Sequence, residues 1–137
     1  MKKWLKNILA GLLALAVLFL IARRVVPVSL SALLPEMTAP EKCTVHSFDW
    51  ADGREVTGEA LDTLLRLLES LSYRYTGRAP GGVMKGQLYH LSFFQSAPVG
   101  LYYVYVSNQL GIVYVNDLKY EMLGDPQPLL DFLASLK

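Results

Sequence analysis

Cys43, His46 and Asp49 recur at three-residue intervals, as Cys-x-x-His-x-x-Asp, and are the residues here whose types could do covalent chemistry. A nucleophilic cysteine needs a base within hydrogen-bond reach and a third group to orient that base. The segment carrying them, Lys42 to Trp50, alternates as a strand does, with Thr44, His46, Phe48 and Trp50 on one face and Val45 on the other. On a strand, positions 43 and 46 point to opposite faces, so this spacing separates the two groups it brings close in sequence. The same parity argues against a shared metal, as does the lack of a second cysteine. His90 lies on another strand-like segment and can approach His46 across a sheet. The expectation is a buried Cys43 with no disulfide framework, no catalytic residues, no metal ligands and no cofactor. A small envelope hydrolase or transferase using Cys43 with a histidine is the alternative.

Gly81-Gly82 and Gly86 sit near Arg78 and Lys85, a composition that could cradle phosphate. Such a loop should run straight into a helix N-terminus, where aligned amides meet the anion. This one leads into a β-like segment, so it reads as a connection. The tyrosines carry a better site hypothesis. All eight lie beyond residue 70, and a flat ring with a hydroxyl suits protein interfaces and sugar-stacking surfaces. Along Leu101 to Ser107, Tyr103 and Tyr105 share one face, while Tyr102 joins Val104 and Val106 on the other. If helices cover the Tyr102 face, then Tyr103 and Tyr105, with Tyr73, Tyr75 and Tyr114, make an open aromatic binding face.

The elements that must position these residues are legible from periodicity. After the 42–50 strand and Asp52-Gly53, Thr57 is a helix cap for a segment over 58–71, with Leu61, Leu64, Leu65, Leu68 and Leu71 at helical spacing. Tyr73 to Thr76, Gln87 to Gln95, Leu101 to Ser107 and Ile112 to Asn116 read as strands, and Lys119 to Leu123 as one more. Ala97 to Gly100 and Asn108 to Gly111 are turns. Asp125-Pro126 opens a final helix with Leu129, Leu130, Leu133 and Leu136 as its buried face. The expected fold is α+β: an antiparallel sheet of about five strands with two helices on one face, in the order β-α-β-β-β-β-α, behind an N-terminal transmembrane helix.

That helix is the apolar run Trp4 to Ala22, framed by Lys2, Lys3, Lys6, Arg23 and Arg24. Its length in helical form is about 28 Å, close to the hydrocarbon thickness of a bilayer. Three lysines before or near its start, Lys2, Lys3 and Lys6, against two arginines after it favour an inside N-terminus and an outside C-terminal domain. Ala22-Arg23-Arg24 is poor cleavage chemistry, and the best small-x-small site, Ser29-Leu30-Ser31, lies beyond both charges, so a retained signal-anchor is expected. The division is then 1–24 anchor, 25–40 juxtamembrane stalk and 41–137 domain.

Net charge is +1, and its distribution matters more than its sum. Residues 1–39 carry five basic groups against one acidic, +4, and residues 40–137 eight basic against eleven acidic, −3. The basic charge belongs to the membrane segment, which excludes nucleic acid as a partner. No intramembrane carboxylate or histidine supports transport. In layout the chain resembles small single-span bacterial membrane-anchored proteins with an extracytoplasmic domain of unknown function, a resemblance of architecture that implies no residue roles. The expected function is a membrane-tethered, non-enzymatic domain that binds a protein or cell-envelope component; an accessory subunit regulating a membrane sensor is a further alternative.

Overall fold

The structure is a computed structural model that describes residues 2–78, 88–107 and 111–137. Four helices and seven strands follow the order α1 (Lys3–Val25), α2 (Leu30–Leu33), β1 (Lys42–Ser47), β2 (Arg54–Val56), α3 (Gly58–Glu69), β3 (Ser72–Arg78), β4 (Leu88–Ser96), β5 (Val99–Ser107), β6 (Ile112–Val115), β7 (Leu118–Leu123) and α4 (Gln127–Ser135). The fold is α+β. Its single antiparallel sheet runs β2-β1-β4-β5-β6-β7-β3. The β4-to-β7 meander forms the centre, and α3 carries the chain between the two edges, from β2 to β3.

Seven strands replace the expected five or so. Arg54–Val56 is the unforeseen one, an edge strand too short to show alternation, paired with β1 through Cys43↔Val56. Lys119 to Leu123 is realised as part of β7, joined to β6 through Asn116 and Asp117. Both turn residues have positive φ, 51° and 62°, a conformation that suits Asn and Asp. Val99 and Gly100, expected within a turn, already pair as strand opposite Ser96 and Gln95. The expected connection over 78–86, beyond Arg78, and most of the 108–111 turn lie outside the described residues.

One face of the sheet is buried along continuous cross-strand rows. Val45, Leu91, Val104 and Val115 make one, and Val106, Val113 and Tyr120 another. Leu61, Leu64 and Leu68 of α3 and Leu129 and Leu133 of α4 complete the same core. Each such leucine contributes about 2 kcal/mol of apolar burial. Thr57 precedes α3 without a side-chain cap bond, whereas the Asp125 carboxylate accepts from the Gln127 amide, 3.0 Å, and starts α4 as expected.

α1 stands apart from this core. Lys3–Ala22 is long and apolar enough to span a membrane or to serve as a signal sequence, and none of that stretch is buried by the protein. In the segment expected as a juxtamembrane stalk, Val28, Leu30, Leu33 and Leu34 are apolar enough either to lie along the membrane surface or to pack on the domain, and they pack on the domain. Val28 exchanges both backbone hydrogen bonds with Tyr73, at 2.8 and 2.9 Å, adding a short bridge to the outer edge of β3. Ser29 caps α2 from the Ala32 amide, and Leu30 and Leu34 are core residues, 1% and 4% exposed. Its end is pinned by Gln95, which is wholly buried. The Gln95 Oε1 accepts from the Thr38 and Ala39 amides at 3.0 and 3.1 Å. Its Nε2 donates to the Glu36 and Pro98 carbonyls, both at 2.9 Å.

Candidate functional site

Among the described residues, no helix packs on the other face of the sheet. Its residues alternate with the buried rows, and register brings four rings into one transverse line: His46↔His90↔Tyr105↔Tyr114, ending at Lys119. His90 and Tyr105 stack with centroids 4.4 Å apart and planes 7° from parallel. Tyr103, one step along β5, lies 5.5 Å from His90, and His46 lies 6.2 Å away on the other side. The neighbouring rows are Thr44↔Ser92↔Tyr103 and Lys42↔Phe94↔Leu101. Tyr103 and Leu101 are well exposed, and the Lys42 ammonium sits over the Phe94 ring, 5.5 Å from its centroid.

Of the tyrosines expected on an open face, Tyr103, Tyr105 and Tyr114 lie together on this side of the sheet, and Tyr73 and Tyr75 do not. β3 pairs with β7 in the register Tyr73↔Met122 and Tyr75↔Tyr120, which puts both tyrosines on the helix-covered side. Tyr73 is buried, and its hydroxyl donates to the Leu68 carbonyl at 2.7 Å. Burial raises its pKa. Tyr75 packs edge-on against Tyr120, 5.8 Å between centroids. His46 and His90 take the places that Tyr73 and Tyr75 were expected to fill. Phe94 and Leu101 belong to the face as well, by the alternation that marks Tyr103 and Tyr105 in the sequence.

Cys43 and His46 point to opposite sides of the sheet, so the Cys-x-x-His-x-x-Asp spacing assembles no dyad. Cys43 lies in the core between Val56 and Phe93, and burial pushes its thiol up to about 12. It is expected to resist maleimide in the folded protein and to react at the rate of a free thiol in 6 M guanidinium; fast native-state labelling would contradict this packing. Among the described residues, no three His, Cys, Asp or Glu side chains group as metal ligands.

What the face offers chemically is stacking area with hydrogen-bonding ring edges. His90 is held below the ordinary histidine value of 6.5, first by desolvation and second by the charge of His46. The folded state therefore binds fewer protons here than the unfolded chain, and the contribution to stability present at neutral pH is lost as pH falls below 6.5. In an NMR titration, His46→Gln is expected to move the His90 midpoint back up; an unmoved midpoint would mean the two imidazoles do not interact. Gly53 backs the His46 ring so closely that an added Cβ would lie 2.5 Å from its Cε1.

Comparison with protein-family models, curated proteins and solved structures finds no match.

Proposed function

We propose that this protein is a membrane-tethered, non-enzymatic domain on the outer side of the membrane that binds a protein or cell-envelope component through the helix-free face of its sheet. The observation that carries this reading is the register-aligned row His46, His90, Tyr105 and Tyr114, flanked by exposed Tyr103 and Leu101. Rings held in place by strand pairing lose little side-chain entropy when a ligand covers them, and their polar edges remain available for orientation. Lys3–Ala22 supplies the tether, and Lys2, Lys3 and Lys6 at its start against Arg23 and Arg24 after its end support an inside N-terminus. Cys43 supports no hydrolase or transferase reading, because its thiol faces the core, away from both histidines.

The test replaces Leu101 and Tyr103 by lysine in the full chain and follows what co-purifies in mild detergent. Both positions are exposed, so the cost to stability should stay within about 0.5 kcal/mol each. The expected result is loss of the component retained by the unaltered protein, with retention by an Asp62→Ala, Arg66→Ala control on the outer side of α3. Equal retention by all three proteins would defeat the reading.

A further inference from the structure

Between the end of α1 and the domain lies an apolar groove of about 400 Å3. Phe19, Ala22 and Val26 form one wall, Ala32 and Leu33 of the α2 segment the other, and Tyr120 closes it. A cation stands close by: the Arg24 guanidinium lies over the Tyr75 ring, 5.9 Å from its centroid, and Tyr75 packs against Tyr120. Apolar walls beside a cation match the two ends of a phospholipid.

The depth of the groove favours that occupant over a soluble one. The 20 residues Lys3–Ala22 rise about 30 Å as a helix, the thickness of a hydrocarbon core. Phe19 and Ala22 belong to the final turn of that span, so the groove opens where acyl chains meet headgroups. Nor can the domain lift away. Val26 and Pro27 alone separate α1 from Val28, which is hydrogen-bonded to Tyr73, a reach of about 10 Å at full extension. We propose that the groove seats an acyl chain of an anionic phospholipid from the adjoining leaflet, with Arg24 against its phosphate. The proposal rests on the membrane-tether reading given above, and orders the domain on the bilayer surface.

The full chain in lipid nanodiscs of phosphatidylcholine with phosphatidylglycerol, probed by spin-labelled versions of each lipid, tests this. The expected spectrum has a motionally restricted component that prefers phosphatidylglycerol by about fivefold, the effect of one arginine near a bilayer surface. Arg24→Gln should bring that preference close to one, and Ala32→Phe, which fills the groove from an exposed position, should remove the extra component for both lipids. Unchanged spectra in Ala32→Phe, with native Trp50 fluorescence showing the domain folded, would overturn the proposal. So would a photocrosslinker at position 32 that captures a second polypeptide rather than lipid. Carbonate extraction separates this from failure of the tether: release of the chain from membranes defeats the tether, whereas a retained, lipid-indifferent chain defeats only the groove.

Discussion

Gln95→Leu is expected to destabilise the full chain in detergent by about 3 kcal/mol in a urea melt followed by Trp50 fluorescence. The Gln95 amide is wholly buried and makes four bonds to backbone groups, accepting from Thr38 and Ala39 and donating to Glu36 and Pro98. Each is worth about 1 kcal/mol net, and a buried partner left unsatisfied costs more. Leucine has a similar volume, so little of the effect is cavity formation. Gln95→Glu separates the two halves of the network. Its carboxylate still accepts from both amides but can no longer donate to either carbonyl, and it brings a charge into the core. Its folded pKa is raised above the unfolded value, so the Glu variant should be least stable at neutral pH and should recover as pH falls. The Leu variant should show no such recovery. A loss below about 0.5 kcal/mol for Gln95→Leu would mean that 36–39 is not held by this side chain.

Leu30→Ala should cost about 3 kcal/mol, as for other leucines removed from a packed core. The result matters because residue 30 lies in the segment whose sequence reads as a stalk. A chain beginning after Arg24 keeps the Val28–Tyr73 pair and both buried leucines, and should retain most of its stability. A chain beginning after Ser31, as cleavage at the Ser29-Leu30-Ser31 site would leave it, loses the pair and Leu30 together. It should melt at much lower denaturant. Equal melts for the two would show that 25–31 contributes nothing to the fold.

The contrast between those residues and the helices shows what the sequence carries. α3 and α4 are legible because leucines at three- and four-residue spacing can be buried only as a helical stripe, whatever they pack against. The alternation within β5 is equally local, and it separates Tyr103 and Tyr105 from Tyr102 without knowledge of a partner strand. Register is not local. Tyr73 and Tyr75 share a face with each other, but which face depends on their pairing with Met122 and Tyr120, some 45 residues away in the chain. The same dependence governs the His46–His90–Tyr105–Tyr114 row: an approach of His90 to His46 and a shared face for Tyr105 and Tyr114 are legible separately, but the alignment of all four comes from three separate pairings. Gln95 gave no signal, because a polar residue at a core-facing position looks like an interruption of alternation until its partners are known. Residues 28–34 carry apolar side chains without a period, which leaves their packing undecided between membrane surface and domain.

The role of the helix-free face is tested most directly by photocrosslinking in intact cells. A benzophenone side chain at Tyr103, beside the ring row, is compared with one at Asp62 on the outer side of α3. Position 103 is expected to give one discrete adduct that disappears when Tyr105 is changed to Ala, and position 62 none. Adducts of equal yield from both positions, or adducts from position 62 alone, would contradict binding through the sheet.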